Sequence, residues 1–160
     1  MKASAPIANP GVPFPPPILF VGGFGFGWLV DRKLRPLALP GIGANVAEPI
    51  GLALIVVGFA LMAWGIVTFH RRGTAVYPNQ PASSLVTDGP YRFTRNPMYT
   101  GMTVAYLGGS LVVGSLWPIV LLPVVLVLLV RLVVRREEAY LENAFGKNYE
   151  VYRATVRRWL

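Results

Sequence analysis

The chain contains no cysteine and a single histidine, His70. Without thiols there is no disulfide framework, no thiolate nucleophile and no cysteine-ligated metal, and the redox compartment is left undetermined. Acidic side chains are scarce: seven Asp and Glu stand against fifteen Lys and Arg, for a net charge of +8. Charged residues make up 14% of the chain, where soluble domains carry about 25%. That leaves too little polar surface to cover a water-exposed globule. His70 follows a long apolar run and reads as an interfacial residue, and no metal site is expected.

What the chain does contain is apolar, at 54% hydrophobic with a mean hydropathy of +0.51. Its 160 residues suit one domain. The basic residues flank uncharged runs, which points to anionic lipid headgroups and membrane lipids as partners rather than nucleic acid. Residues 1–17 hold Pro6, Pro10, Pro13, Pro15, Pro16 and Pro17 with one lysine, Lys2. They lack the apolar region of a signal peptide. This stretch reads as an extended, partly disordered, polyproline-like lead-in, with a ligand for a proline-reading partner as the other reading. Residues 18–160 form the membrane domain.

A spanning helix needs about 20 predominantly apolar residues. Ile50 to Phe69 is uncharged throughout, between Glu48-Pro49 and His70-Arg71-Arg72. Ile18 to Val30 is shorter, and its Gly23 and Gly27 form a small-xxx-small pair suited to close helix contact. Asn96 to Val130 is uncharged over 35 residues. As one helix it would run about 52 Å against a hydrocarbon core of about 30 Å, so it must fold back. Gly114-Ser115-Leu116-Trp117-Pro118 is the break. Gly101, Ala105 and Gly109 line one stripe before it, and Pro123 predicts a local kink after it.

The expected fold is therefore all-α and polytopic. Four transmembrane helices fall at about 18–34, 49–70, 98–114 and 118–135, the last two a helical hairpin. One face then carries Lys2, Arg71, Arg72, Arg92, Arg95, Arg135, Arg136, Lys147, Arg153, Arg157 and Arg158, with Arg131 at the membrane edge. The other carries Arg32, Lys33 and Arg35. The positive-inside rule puts both termini in the cytoplasm. Beyond the last span, Glu137 to Phe145 continues at helical spacing and Gly146 supplies a stop. Tyr149, Tyr152, Val156 and Trp159 line one side of a further basic segment, expected to lie at the membrane interface.

Two polar stretches, 85–101 and 135–149, bracket the hairpin at the cytoplasmic cofactor segments 71–97 and 136–160, so its fold-back predicts one composite cytoplasmic site. The first contains Gly89-Pro90-Tyr91 and Arg95-Asn96-Pro97-Met98-Tyr99-Thr100-Gly101. The second contains Glu137-Glu138-Ala139-Tyr140-Leu141 and Phe145-Gly146-Lys147-Asn148-Tyr149. Each piece alone is weak. The ordered set resembles the isoprenylcysteine carboxyl methyltransferase and phospholipid methyltransferase family of small integral-membrane methyltransferases, over roughly residues 50–157 and as a member of prokaryotic type.

The resemblance implies S-adenosylmethionine as cofactor, held at the cytoplasmic ends of the last two spans. By position its contacts fall on Ser83, Ser84, Leu85, Val86, Tyr91, Asn96, Pro97, Tyr99 and Glu137. Asn96 stands where the eukaryotic carboxyl methyltransferases carry histidine. The family's substrate-side arginine falls on Val133, with Arg131 and Arg135 two residues to either side as substrate candidates. Both departures bear on a prenylated-cysteine substrate more than on the cofactor. A prokaryotic member would sit in the plasma or inner membrane.

The residue types fit that chemistry. Glu137 suits the cofactor's ammonium or ribose hydroxyls and Arg95 its carboxylate. Tyr91 and Tyr99 offer aromatic faces to adenine or sulfonium. Asn96 both donates and accepts, and Arg95 and Asn96 are the candidates for a direct catalytic part. Plainer readings exist for each. The tyrosines suit an interfacial belt, Arg95 a topology signal, and Pro97 the entry to the hairpin. Glu138 reads as a solvated partner of Arg135 and Arg136.

The function expected is methyl transfer to a lipophilic or amphipathic acceptor, a carboxylate, thiol or amine. With no evident base, a carboxylate or thiolate is favoured. The rivals are a nicotinamide-dependent membrane reductase of similar architecture and a non-enzymatic membrane scaffold.

Overall fold

The computed structural model describes residues 9–12, 14–74 and 82–159; the first part of the proline-rich lead-in lies outside the described residues. Six α-helices follow one another: α1 Pro17–Lys33, α2 Ala44–Arg71, α3 Pro97–Val113, α4 Trp117–Leu129, α5 Arg135–Phe145 and α6 Lys147–Thr155. A single 3₁₀ turn, Gly89–Arg92, precedes α3. Among the described residues the only β pairing is one bridge between Ala38 and Ser115. The fold is all-α.

Among the described residues two helices are long and apolar enough to cross a membrane: α2, with 28 residues, and the continuous helix Trp117–Phe145, with 29. Their most apolar stretches average hydropathies of 2.5 and 2.7, yet only 17% and 33% of those residues are buried. An apolar helix that turns its side chains outward, as α2 does with Val56, Phe59 and Trp64, is matched to lipid rather than to a water-covered core. The apolar run of the second helix ends at Val134, and Arg135 onward is polar. Helices α1 and α3 have 17 residues each. At 1.5 Å per residue they reach about 26 Å, just short of a hydrocarbon core of about 30 Å. α2 also begins earlier than the sequence pattern placed it, at Ala44. Pro49 falls in its early turns, where the loss of one backbone donor is tolerated.

Glycines set the packing. A Cβ on Gly58 would stand 2.5 Å from Gly101 O, and one on Gly108 would stand 2.5 Å from Gly51 O. These two contacts run antiparallel along α2 and α3 and allow the backbones to approach to contact. The expected stripe on α3 is divided: Gly101 and Ala105 face α2, while Gly109 faces Phe24 of α1. On α1, Gly23 meets Val125 and Gly27 meets the backbone of Pro118, so α1 packs antiparallel on α4. Tyr106 ties the pairs together, donating to Pro118 O at 2.9 Å while meeting Phe20 and Phe24 edge-on. The hairpin thus turns as expected, through Gly114 in a left-handed conformation (φ +68°), but each arm packs chiefly on an earlier helix.

The two ends of this bundle differ. At one end the α1–α2 connection is stitched to the hairpin turn: Leu116 N donates to Leu37 O at 2.9 Å and Trp117 Nε1 to Arg35 O at 2.6 Å. At the other end lie the C-terminus of α2, the 3₁₀ turn, the start of α3, and α5 with α6. Between α4 and α5 the helix widens into a π turn, Val130–Val134, which buries Val133 and Val134 completely. The extra residue in such a turn rotates everything after it about the helix axis. Part of the lead-in also docks here: Val12 is buried against the core, and Arg136 Nη1 donates to Gly11 O at 2.7 Å.

Candidate functional site

The second end of the bundle holds a partly open cavity, lined by the segment before α3, the start of α3, and α5 and α6. Its wall begins at Gly89-Pro90-Tyr91. Gly89 has φ +57°, and a Cβ there would lie 2.7 Å from Thr68 Oγ1, so both conformation and space require glycine. Pro90 opens the 3₁₀ turn and is fully buried. The turn is pinned to α2 by Arg72, whose guanidinium grips Asp88 at 2.9–3.2 Å. Tyr91 is thereby laid against Phe69, ring centroids 5.1 Å apart.

Asn96 and Pro97 start α3. Asn96 O accepts from Thr100 N and Thr100 Oγ1 at 3.0 Å, and Pro97 occupies the first helical position, where no backbone donor is needed. One turn further, Tyr99 reaches across to α5 and donates to Glu137 Oε1 at 2.7 Å. Glu137 is part-buried on the cavity wall and, among the described residues, has no cationic partner within ion-pair distance. Burial pushes its carboxyl up to about 7; the Tyr99 hydrogen bond pulls the other way, and neighbouring Glu138 adds to the rise. Burial also holds the Tyr91 hydroxyl well above its ordinary range, so it stays protonated and available as a donor.

Glu138 behaves differently. It lies 3.0 Å from Arg95 Nη1, and Arg158 clasps it with Nε at 2.9 Å and Nη2 at 2.6 Å. Arg95 Nη1 also donates to Tyr149 Oη at 3.2 Å. Among the described residues three buried polar side-chain atoms find no partner: Ser84 Oγ, Tyr91 Oη and Arg95 Nε. All three belong to residues of the cavity wall. A buried polar group left unsatisfied is costly, so three such groups in residues around one cavity single it out as the candidate site.

Most of the residues singled out from sequence come together here. Ser84, Leu85, Val86, Tyr91, Arg95, Asn96, Pro97, Tyr99 and Glu137 line the cavity. Ser83 does not; it donates to Gly73 O at 2.9 Å and holds the approach to the site. Arg131 and Arg135 are exposed and stand away from the cavity. Arg131 lies within the π turn and Arg135 directly after it, while Val133 and Val134 of the same turn face inward.

Two expectations are corrected. Glu138 is no solvated partner of Arg135 and Arg136, because Arg95 and Arg158 compensate it inside the protein. The apolar side of the last segment faces inward: Tyr149 and Tyr152 are buried against Val86 and Tyr91, and Tyr152 donates to Tyr91 O at 2.8 Å. Sequence reasoning passed over Tyr140, whose hydroxyl accepts from Ala82 N at 2.8 Å, and Pro10, which reaches the wall from the lead-in. Tyr140 lies inside a quoted motif, which was the available signal. Nothing in the sequence marked Pro10.

The wall therefore offers a carboxylate without a cation, a guanidinium with a spare donor, a protonated phenol and several aromatic faces. That set suits a ligand carrying a cation, a carboxylate and a flat ring.

Comparison with known proteins gives the same direction. Residues 47–148 match the family described as PEMT, phospholipid methyltransferase. The chain is 39% identical over 140 residues to the protein-S-isoprenylcysteine O-methyltransferase of Schizosaccharomyces pombe, covering 86% of this chain and 59% of the yeast one. It is 29% identical over 115 residues to the probable protein-S-isoprenylcysteine O-methyltransferase of Oryza sativa subsp. indica, covering 69% of this chain. The chain spans 59% of the length of these curated relatives, which are eukaryotic. No solved structure matches.

Proposed function

Because the chain belongs to the phospholipid methyltransferase family, we propose that it transfers a methyl group from S-adenosylmethionine to a lipophilic or amphipathic acceptor at the membrane face. The observation that carries this reading is the uncompensated Glu137, bonded to Tyr99 at the wall of a cavity that also presents three unpartnered buried polar atoms. These residues fit the cofactor. Glu137 would take its ammonium or ribose hydroxyls, Arg95 its carboxylate, and the faces of Tyr91 and Tyr99 its adenine or sulfonium.

When bound, the cofactor supplies a methyl group on a sulfonium, open to direct displacement by a nucleophile. The protein's part is chiefly placement, which supplies much of the acceleration in such a reaction. Tyr99 fixes the rotamer of Glu137, Tyr152 holds the Tyr91 backbone, and Tyr149 with Glu138 holds Arg95. Leu85, Val86, Pro97, Met98 and Leu141 supply an apolar part of the wall. The relatives' names favour an oxygen acceptor, and a carboxylate needs no base to attack. Asn96 commits its side-chain amide to Arg158 O at 3.1 Å, which supports a structural part for it over a catalytic one.

The same reading includes four membrane crossings with both termini in the cytoplasm. The antiparallel packing of α1 on α4 and α2 on α3 supports it, as does the division of charge. Arg32, Lys33 and Arg35 lie at the closed end, and the many arginines of the cavity end lie opposite.

The test is incubation of the purified protein with methyl-labelled S-adenosylmethionine in the presence of a prenylated-cysteine peptide, phosphatidylethanolamine or a total lipid extract. Label on a lipid-soluble product supports the proposal and names the acceptor. A protein that binds a nicotinamide dinucleotide and not S-adenosylmethionine would be a reductase, and one that binds neither would be a scaffold.

A further inference from the structure

The segment 94–96, which carries Arg95 into the cavity, is held from outside the family-matched region 47–148. Thr94 Oγ1 donates to Arg158 O at 2.9 Å, Asn96 Nδ2 donates to the same oxygen at 3.1 Å, and Arg95 N donates to Arg157 O at 2.9 Å. The backbone of the C-terminal segment is thus bonded to three consecutive residues, Thr94, Arg95 and Asn96, the last two of which open the Arg-Asn-Pro motif. Its side chains add a second hold. Arg158 grips both oxygens of Glu138, and Glu138 in turn faces Arg95 Nη1. Trp159 packs against the main core and anchors the segment.

This arrangement leaves Glu138 between two guanidiniums. Its side chain is 15% exposed, that of Arg95 11% and that of Arg158 37%. A buried carboxylate with a single arginine would let that arginine wrap around it in bidentate fashion. Here Arg158 has taken the bidentate position, so Arg95 meets Glu138 through Nη1 only. Arg95 Nε is left buried without a partner, in a residue that lines the cavity.

We infer that Glu138 and Arg158 are positioning residues: the C-terminal segment and its Arg158–Glu138 pair set Arg95 so that its guanidinium is presented to the carboxylate of the bound ligand. This inference rests on the cofactor reading above for the identity of the ligand, but the geometry of the clasp can be tested without any ligand.

The experiment uses the full chain in detergent, alongside Glu138→Gln, Arg158→Ala and a chain ending at Val156. Backbone amide exchange at residues 94–96 is followed first, ligand-free. Faster exchange in the shortened chain is expected, and unchanged exchange there overturns the clasp. Binding of S-adenosylhomocysteine is then compared with binding of 5′-methylthioadenosine, which lacks the amino-acid carboxylate and ammonium. Loss of one well-placed charge-assisted bond predicts about tenfold weaker S-adenosylhomocysteine binding in Glu138→Gln and Arg158→Ala, with 5′-methylthioadenosine unchanged. Arg158→Lys should recover part of the loss. Equal weakening of both ligands, or of neither, overturns the positioning role. Should the unmodified chain bind neither nucleoside, the methyltransferase reading fails, and the exchange data still decide whether the clasp exists.

Discussion

Tyr99 and Glu137, separated by 38 positions in sequence, are joined by a hydrogen bond of 2.7 Å between the first turns of α3 and α5. The hairpin α3–α4 doubles back to make that contact. It closes the cavity on one side and leaves a carboxylate facing it with no cation of its own.

Glu137→Gln should separate binding from stability. Removing the charge is expected to weaken S-adenosylhomocysteine binding about tenfold or more, since a bond to a charged group contributes about 1.5–3 kcal/mol. The same change should raise the Tm of the ligand-free protein at pH 8. The folded carboxyl is raised from 4.5 to about 7, so the parent loses stability as pH climbs across that interval and stays at the lower level above it. Thermal unfolding in detergent should show little difference between variant and parent at pH 4.5 and a growing one towards pH 8.

Ligand affinity should follow the opposite course. A cationic ligand favours ionised Glu137, so binding below pH 7 expels a proton and weakens as pH falls from about 7. Calorimetric titration in buffers of different ionisation enthalpy should report that proton release, and Glu137→Gln should abolish it.

Tyr99→Phe removes the one contact that lowers the Glu137 pKa. The pH midpoint of binding is therefore expected to move upward in this variant, with affinity at pH 8.5 closer to the parent than at pH 7. An unmoved midpoint would show that the hydrogen bond does not tune the carboxylate.

Gly58→Ala should be costly far from the site. The added Cβ meets Gly101 O at 2.5 Å, a backbone atom that cannot rotate away. Overpacking of this kind costs about 1–3 kcal/mol, readable as a lowered Tm in detergent. Gly22→Ala, with open space around it, should change little.

The absence of native cysteine makes topology easy to map. Single cysteines at Ile42 and Lys147, both exposed, should label from opposite faces of sealed vesicles, with Lys147→Cys protected from outside in right-side-out preparations. Labelling of both from the same face would remove the four-crossing reading.

The sequence showed the parts of this architecture that depend on local chemistry. Gly114 and Pro118 mark a place where an uncharged run must turn, and Gly146, at φ +49°, ends α5 where its lack of a Cβ allows it. Tyr99 and Glu137 could be brought together on paper because a hairpin has only one way to join its ends. What stayed hidden depends on partners distant in the chain or on register. Glu138 has two arginines within four residues, Arg135 and Arg136, and pairing it with Arg158 instead requires knowing that the C-terminal segment folds back. Arg131 and Arg135 came from the resemblance, two residues to either side of Val133, and the π turn that sets the direction of these side chains has no signal in composition. Tyr149 and Tyr152 share an apolar side, but periodicity does not say whether lipid or Tyr91 covers it.

The central claim is that the cavity between Tyr99 and Glu137 holds S-adenosylmethionine. Ultraviolet crosslinking of the radiolabelled cofactor to the purified protein, followed by peptide mapping, tests it most directly. Label confined to peptides spanning residues 82–99 and 137–152, and displaced by S-adenosylhomocysteine, is the result expected. Displaceable label on α1, or at the opposite end of the bundle around Leu37 and Trp117, would contradict it.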